Sequence, residues 1–106
     1  MYRIRMILTA AALTAGSTVA FAAGSADKGK EVFDQCSVCH NADSTEQKIG
    51  PGLKGLFKHD KLANGKPVNE ANVRAKIDEG GNGMPSYKEI LSAQEKDDVV
   101  AYLKTL

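Results

Sequence analysis

Apolar residues recur at helical spacing in three places along the 106-residue chain, and nowhere do they alternate in the period of two that a half-buried strand requires. The clearest stretch is the last one. Val99, Tyr102, Leu103 and Leu106 follow at i, i+3, i+4 and i+7, and Ser92 with Glu95 forms the S-x-x-E pattern of a capping box just ahead of them. A C-terminal helix with one buried stripe is predicted. A second helix is predicted from Asn69, a capping residue, through Glu79, with Val73 and Ile77 one turn apart and Gly80 as its stop. Its apolar stripe is narrow. A further helix should begin at Ser25 or Asp27 and place Gly29, Val32, Phe33 and Cys36 on one side, delivering Cys36 from its last turn. Glycine in mid-helix costs about 0.5–1 kcal/mol relative to alanine. Gly29 therefore predicts a close approach of the C-terminal helix, with Phe33 and Tyr102 filling the contact. Asp97 and Asp98 are expected on the solvated side of that last helix.

Ahead of these elements, Arg3 and Arg5 precede an uncharged stretch from Met6 through Ala23 that closes on Ala20-Phe21-Ala22. A positive start, an apolar middle and a small-residue end read as a signal peptide over residues 1–22, leaving a single domain over 23–106 and an exported protein. The alternative, a retained membrane anchor, is weakened by Thr14, Gly16, Ser17 and Thr18. Without Arg3 and Arg5 the 14 basic residues fall to 12 against 13 acidic ones, a near-neutral balance that does not argue for nucleic acid. Charge is less even along the chain. Lys48, Lys54, Lys58, Lys61 and Lys66 lie in its middle with only Asp60, whereas Asp78, Glu79, Glu89, Glu95, Asp97 and Asp98 crowd its last third around Lys88 and Lys96. Such a dipolar molecule would orient partners during encounter; the plainer alternative is a set of solubilising surface charges.

A domain this small is near the size at which side chains alone make a marginal core without a disulfide, metal or cofactor. Cys36, Cys39 and His40 supply a candidate, because the run C-x-x-C-H lets two thiols meet the two vinyl groups of a haem while the next residue turns its imidazole to the iron. Rival readings need surroundings the chain does not offer. A thioredoxin-like dithiol needs a strand leading into C-x-x-C, a disulfide across so short a loop leaves His40 unexplained, and a zinc site needs four ligands where His59 is the only other histidine. Haem iron held by one histidine has a second face. Outside residues 1–22 the sole methionine is Met84, in Gly80-Gly81-Asn82-Gly83-Met84-Pro85, where glycines let backbone approach a flat macrocycle and Pro85 stiffens the loop. No G-x-G-x-x-G opens a helix after a strand, and there is neither a phosphate loop nor a nucleophile elbow.

Together with C-x-x-C-H, the segment Gly50-Pro51-Gly52-Leu53-Lys54-Gly55-Leu56 and the segment Met84-Pro85-Ser86-Tyr87 make Asp27 to Leu106 resemble class I c-type cytochromes, small bacterial and mitochondrial electron carriers. The resemblance implies an all-α cytochrome c fold, three main helices packed around one covalently attached haem c with long connecting loops. It implies His40 and Met84 as the axial ligands of the iron, with the Pro51 carbonyl accepting a hydrogen bond from the outer nitrogen of His40. Gly50, Leu53, Pro85 and Tyr87 would lie against the cofactor. Many relatives continue the G-L segment into Gly-Arg, whose arginine helps neutralise a propionate; here Phe57-Lys58-His59 follows, so Lys58 or His59 is expected in that role. The implied function is single-electron transfer, without enzyme activity, by a monomer in the periplasm. Its partners would be respiratory redox proteins, either a membrane oxidoreductase or a terminal oxidase or reductase. The alternative keeps the haem but gives it different work, as a sensor or peroxidase-like domain with a labile sixth ligand, for which His59 is the one distal candidate.

Overall fold

Each predicted helix forms. The computed structural model describes residues 24–106, so the predicted signal peptide lies outside the described residues. Helix α1 spans Ala26–Phe33, α2 Glu70–Glu79 and α3 Ala93–Leu103, with a 3-10 turn at Leu56–Lys58. The caps are those the sequence encodes. The Ser25 hydroxyl accepts from the Lys28 N–H, and the Asn69 side chain accepts from the Asn72 N–H at 2.8 Å. The Ser92 hydroxyl accepts from the Glu95 N–H at 3.1 Å while the Glu95 carboxylate accepts from the Ser92 N–H at 3.0 Å, closing the box. Gly80, with φ at +65°, ends α2. Among the described residues, extended pairing is confined to two isolated bridges, Lys61 with Pro67 and Gly81 with Met84, and the fold is all-α.

α1 and α3 cross in close contact. A Cβ built on Gly29 would collide with the backbone carbonyl of Asp98 and come within 2.8 Å of the Tyr102 Cβ, which is the packing reason for the glycine. One turn further on, the rings of Phe33 and Tyr102 meet with centroids 5.3 Å apart. The core collects Phe33 from α1, Val73 and Ile77 from α2, Leu91 from the preceding loop, and Val99, Val100 and Leu103 from α3. Burial of each such side chain contributes about 1.5–3 kcal/mol. No helix of the described residues is long and apolar enough to cross a membrane.

Two expectations are corrected. Cys36 is not in the last turn of α1, because the helix stops at Phe33 and the chain continues in tight turns. The Ser37 hydroxyl donates to the Asp34 carbonyl at 2.7 Å, taking up an acceptor that a continuing helix would use, and the Phe33 carbonyl accepts from both Cys36 and Ser37. Asp97 and Asp98 are likewise not a solvated pair. Asp98 is 4% exposed, and its carboxylate accepts from the Ser25 N–H at 2.8 Å and from the Gln94 amide at 3.0 Å. Asp97 pairs with Arg74 of α2. Both other helices pack on α3, so the side that reads as polar in isolation faces protein.

Candidate haem site

The turns after α1, the loop that follows them and the loop between α2 and α3 surround one cavity of about 560 Å³. That volume falls within the roughly 300–1,000 Å³ usual for small-molecule and cofactor sites. Cys36, Cys39 and His40 line one wall, Gly50, Pro51 and Leu53 adjoin them, and Met84, Pro85 and Tyr87 come from the loop before α3. Core side chains such as Phe33, Ile77, Leu91 and Val99 make its floor.

Backbone bonds explain how the first wall is built. The Cys36 carbonyl accepts from the N–H groups of Cys39 at 3.1 Å and His40 at 3.0 Å, so the C-x-x-C-H run coils on itself. The Gly50 N–H then donates to the Cys39 carbonyl at 2.7 Å, and the Lys48 ammonium to the Ser37 carbonyl at 2.9 Å, strapping the next loop onto it. His40 Nδ1 lies 2.7 Å from the Pro51 carbonyl oxygen. A carbonyl can only accept, so this contact places the proton on Nδ1 and leaves the Nε2 lone pair for a metal. Gly50 has to be glycine, since a Cβ there would sit 2.5 Å from His40 Cε1.

The wall that carries Met84 depends on unusual backbone. Gly80, Gly81, Asn82 and Gly83 take φ values of +65°, +112°, +53° and +89°, a left-handed run that three glycines permit and asparagine tolerates. Gly81 and Met84 exchange backbone hydrogen bonds of 2.9 and 3.1 Å, which fixes half-buried Met84 at the end of a tight turn.

Electrostatics separate Cys36 from a redox-active nucleophile. Burial pushes the Cys36 thiol above its ordinary 9.0 and the neighbouring Cys39 adds to this, whereas a thioredoxin-like nucleophile needs the opposite shift. Burial also raises Tyr87 above 10.0, with the two cysteines contributing. Its phenol stays neutral.

Of the two propionate candidates, His59 borders the cavity and Lys58 does not. Lys58 lies in a neighbouring surface groove with Asp43, Glu46, Lys54 and His59. Sequence reasoning missed the rim supplied by Lys61, Leu62, Ala63 and Asn64. This rim belongs to a turn held by the Leu62 N–H on the Lys66 carbonyl at 2.8 Å and the Val68 N–H on the Asp60 carbonyl at 3.0 Å. Its signal was Asn64-Gly65, a strong short-range turn dipeptide.

Apolar walls that bring together paired thiols, an imidazole with its tautomer set and a thioether fit a covalently attached haem by the chemistry of their donors. They define a small all-α haem protein. The family model for cytochrome c matches residues 26–106. The chain is 32% identical over 107 residues to cytochrome c2 of Blastochloris viridis, covering 85% of this chain and 84% of that protein. It is 30% identical to cytochrome c2 of Rhodomicrobium vannielii, covering 99% of this chain and 97% of that one. The solved structure of cytochrome c6 from the diatom Phaeodactylum tricornutum superposes with a TM-score of 0.62 at 26% identity, covering 77% of this chain and 93% of that one. The chain belongs to the cytochrome c family. It is an electron-transfer protein, not an enzyme, and it carries covalently bound haem c, whose C-x-x-C-H attachment motif Cys36, Cys39 and His40 fit.

Proposed function

We propose that the protein shuttles single electrons between partner proteins with its haem held axially by His40 and Met84. The observation that carries this reading is that one cavity is lined by His40, its outer nitrogen engaged by Pro51, and by Met84, the only methionine of the described residues. When bound, the haem supplies a one-electron couple at iron. The rest is the work of the chain. Pro51 orients His40 and raises its donor strength by accepting the Nδ1–H. Met84 contributes a soft, neutral and weak donor, which favours the reduced state, and the apolar walls disfavour the extra positive charge of the oxidised one. Both raise the reduction potential. With two protein donors in place no coordination position is left for a substrate, which favours a carrier over a sensor or peroxidase-like domain.

His59, at the cavity edge, is the better placed of the two candidates for a propionate. The signal-like residues 1–22 and the cytochrome c2 relatives support a periplasmic location after cleavage, where the protein would act as a monomer by our reading. Its partners there would be a membrane oxidoreductase and a terminal oxidase or reductase. Substitution Met84→Ala tests the axial assignment: the potential should fall and the iron should bind carbon monoxide or cyanide readily. An unchanged potential would remove Met84 from the iron.

A further inference from the structure

Lys96 is a cation for which the redox chemistry has no use, yet it is buried, with 8% of the residue exposed. It stands in the first turns of α3, and its ammonium reaches out of its own helix in two directions. It donates a 3.2 Å hydrogen bond to the Lys88 carbonyl. It also lies 2.6 Å from a carboxylate oxygen of Asp78 near the end of α2, out of line for a hydrogen bond. Asp78 therefore balances the charge, and the Lys88 carbonyl takes the directed bond.

Lys88 ends the return arm of the Met84 loop. Its remaining ties go to the same end of α2: the Ser86 hydroxyl donates to the Asp78 carbonyl, and the Tyr87 N–H to the Ile77 carbonyl at 3.0 Å. The arm from Ser86 to Lys88 is thus framed by Asp78, Ile77 and Lys96, two residues downstream of Met84. Upstream, the left-handed glycine run has little intrinsic stiffness. Gly81 and Met84 close that run on themselves, and the Lys76 ammonium donates to the Gly80 carbonyl at 2.9 Å, so the framed side holds the other end of the loop.

A buried ammonium is a poor device for stability alone, because an apolar side chain of similar length packs as well without the loss of hydration. What it adds is a fixed position for one carbonyl. We infer that Lys96 is a positioning residue for Met84: by gripping Lys88 and Asp78 it clamps the loop onto α2 and sets how readily Met84 yields the iron to an external ligand. This rests on the axial role proposed for Met84. Arg74 offers the internal control, since it also joins α2 to α3, through Asp97 and the Ala93 carbonyl, and has no bond to the loop.

The experiment titrates imidazole into the ferric, haem-loaded protein and follows the red charge-transfer band of sulfur-ligated haem in the parent, Lys96→Met, Arg74→Met and Met84→Ala. Lys96→Met is expected to bind imidazole about tenfold more tightly than the parent, the scale of one hydrogen bond from a charged donor. Arg74→Met should stay within about twofold, as befits a site with no shared partner. Unchanged affinity in Lys96→Met, or equal tightening in both variants, overturns the clamp. If Met84→Ala keeps both the band and the parent affinity, the axial assignment itself fails. Ser86→Ala cuts another tie of the same arm without removing a buried charge. It should tighten imidazole binding by a smaller factor, and should Lys96→Met not fold, an unshifted Ser86→Ala overturns the clamp.

Discussion

Asp98 shows how a single carboxylate can be worth burying. The Ser25 N–H holds it below its ordinary 3.8, the Gln94 amide adds to this, burial works the other way, and Lys28 contributes a smaller pull. A group whose pKa is lowered by folding stabilises the native state above the unfolded carboxylate range, and the contribution is lost as pH falls through the folded value. The thermal midpoint of the parent should therefore drop from about pH 5 downward, in the window where carboxylates protonate. Asp98→Asn should follow a shallower pH profile over that window. Parallel profiles would show that other carboxylates dominate acid unfolding. The same bond joins the first residue of the α1 cap to α3, so the variant also reports on how firmly the start of the domain is held.

Between elements, the contact of α1 with α3 is set by the absence of a side chain at Gly29. Alanine there gains helix propensity worth about 0.5–1 kcal/mol, yet its methyl would meet the Asp98 backbone, and overpacking of this kind costs about 1–3 kcal/mol. Gly29→Ala is expected to lower the urea midpoint; a midpoint equal to or above that of the parent would contradict the close approach. This crossing was legible in the sequence because a mid-helix glycine is costly and Phe33 and Tyr102 stand at matching positions. The caps at Ser25, Asn69 and Ser92 were legible because their partners lie within three residues. What the sequence did not reveal depends on neighbours distant in the chain. The burial of Asp98 follows from Ser25, seventy-three positions away, and that of Lys96 from the path of the Met84 loop. The end of α1 at Phe33 turned on one competing hydroxyl, Ser37. In the site itself, Cys36, Cys39 and His40 declare themselves by spacing, whereas the rim from Lys61 to Asn64 emerges only once the turn folds back over the cavity.

At the scale of the molecule, the core residues and the cavity share walls: Phe33, Ile77, Leu91, Val99 and Leu103 belong to both. A group bound against these shared walls contacts side chains of α1, α2 and α3 together, and one that binds only the native state stabilises it by mass action. The variant Cys36→Ala with Cys39→Ala should be recovered without stable haem and lose most of its far-ultraviolet helical signal. Native helix content in a haem-free product would show that the polypeptide holds its own shape. The rim turn has one more property. Gly65, at φ +80°, has nothing within 4 Å of where a side chain would begin, so the tip of this turn opens to solvent and a peptide inserted after the glycine would project outward from it. A gold-binding tag placed there would moor every copy by the lip of its cofactor pocket. A freely diffusing carrier would become an oriented relay on an electrode.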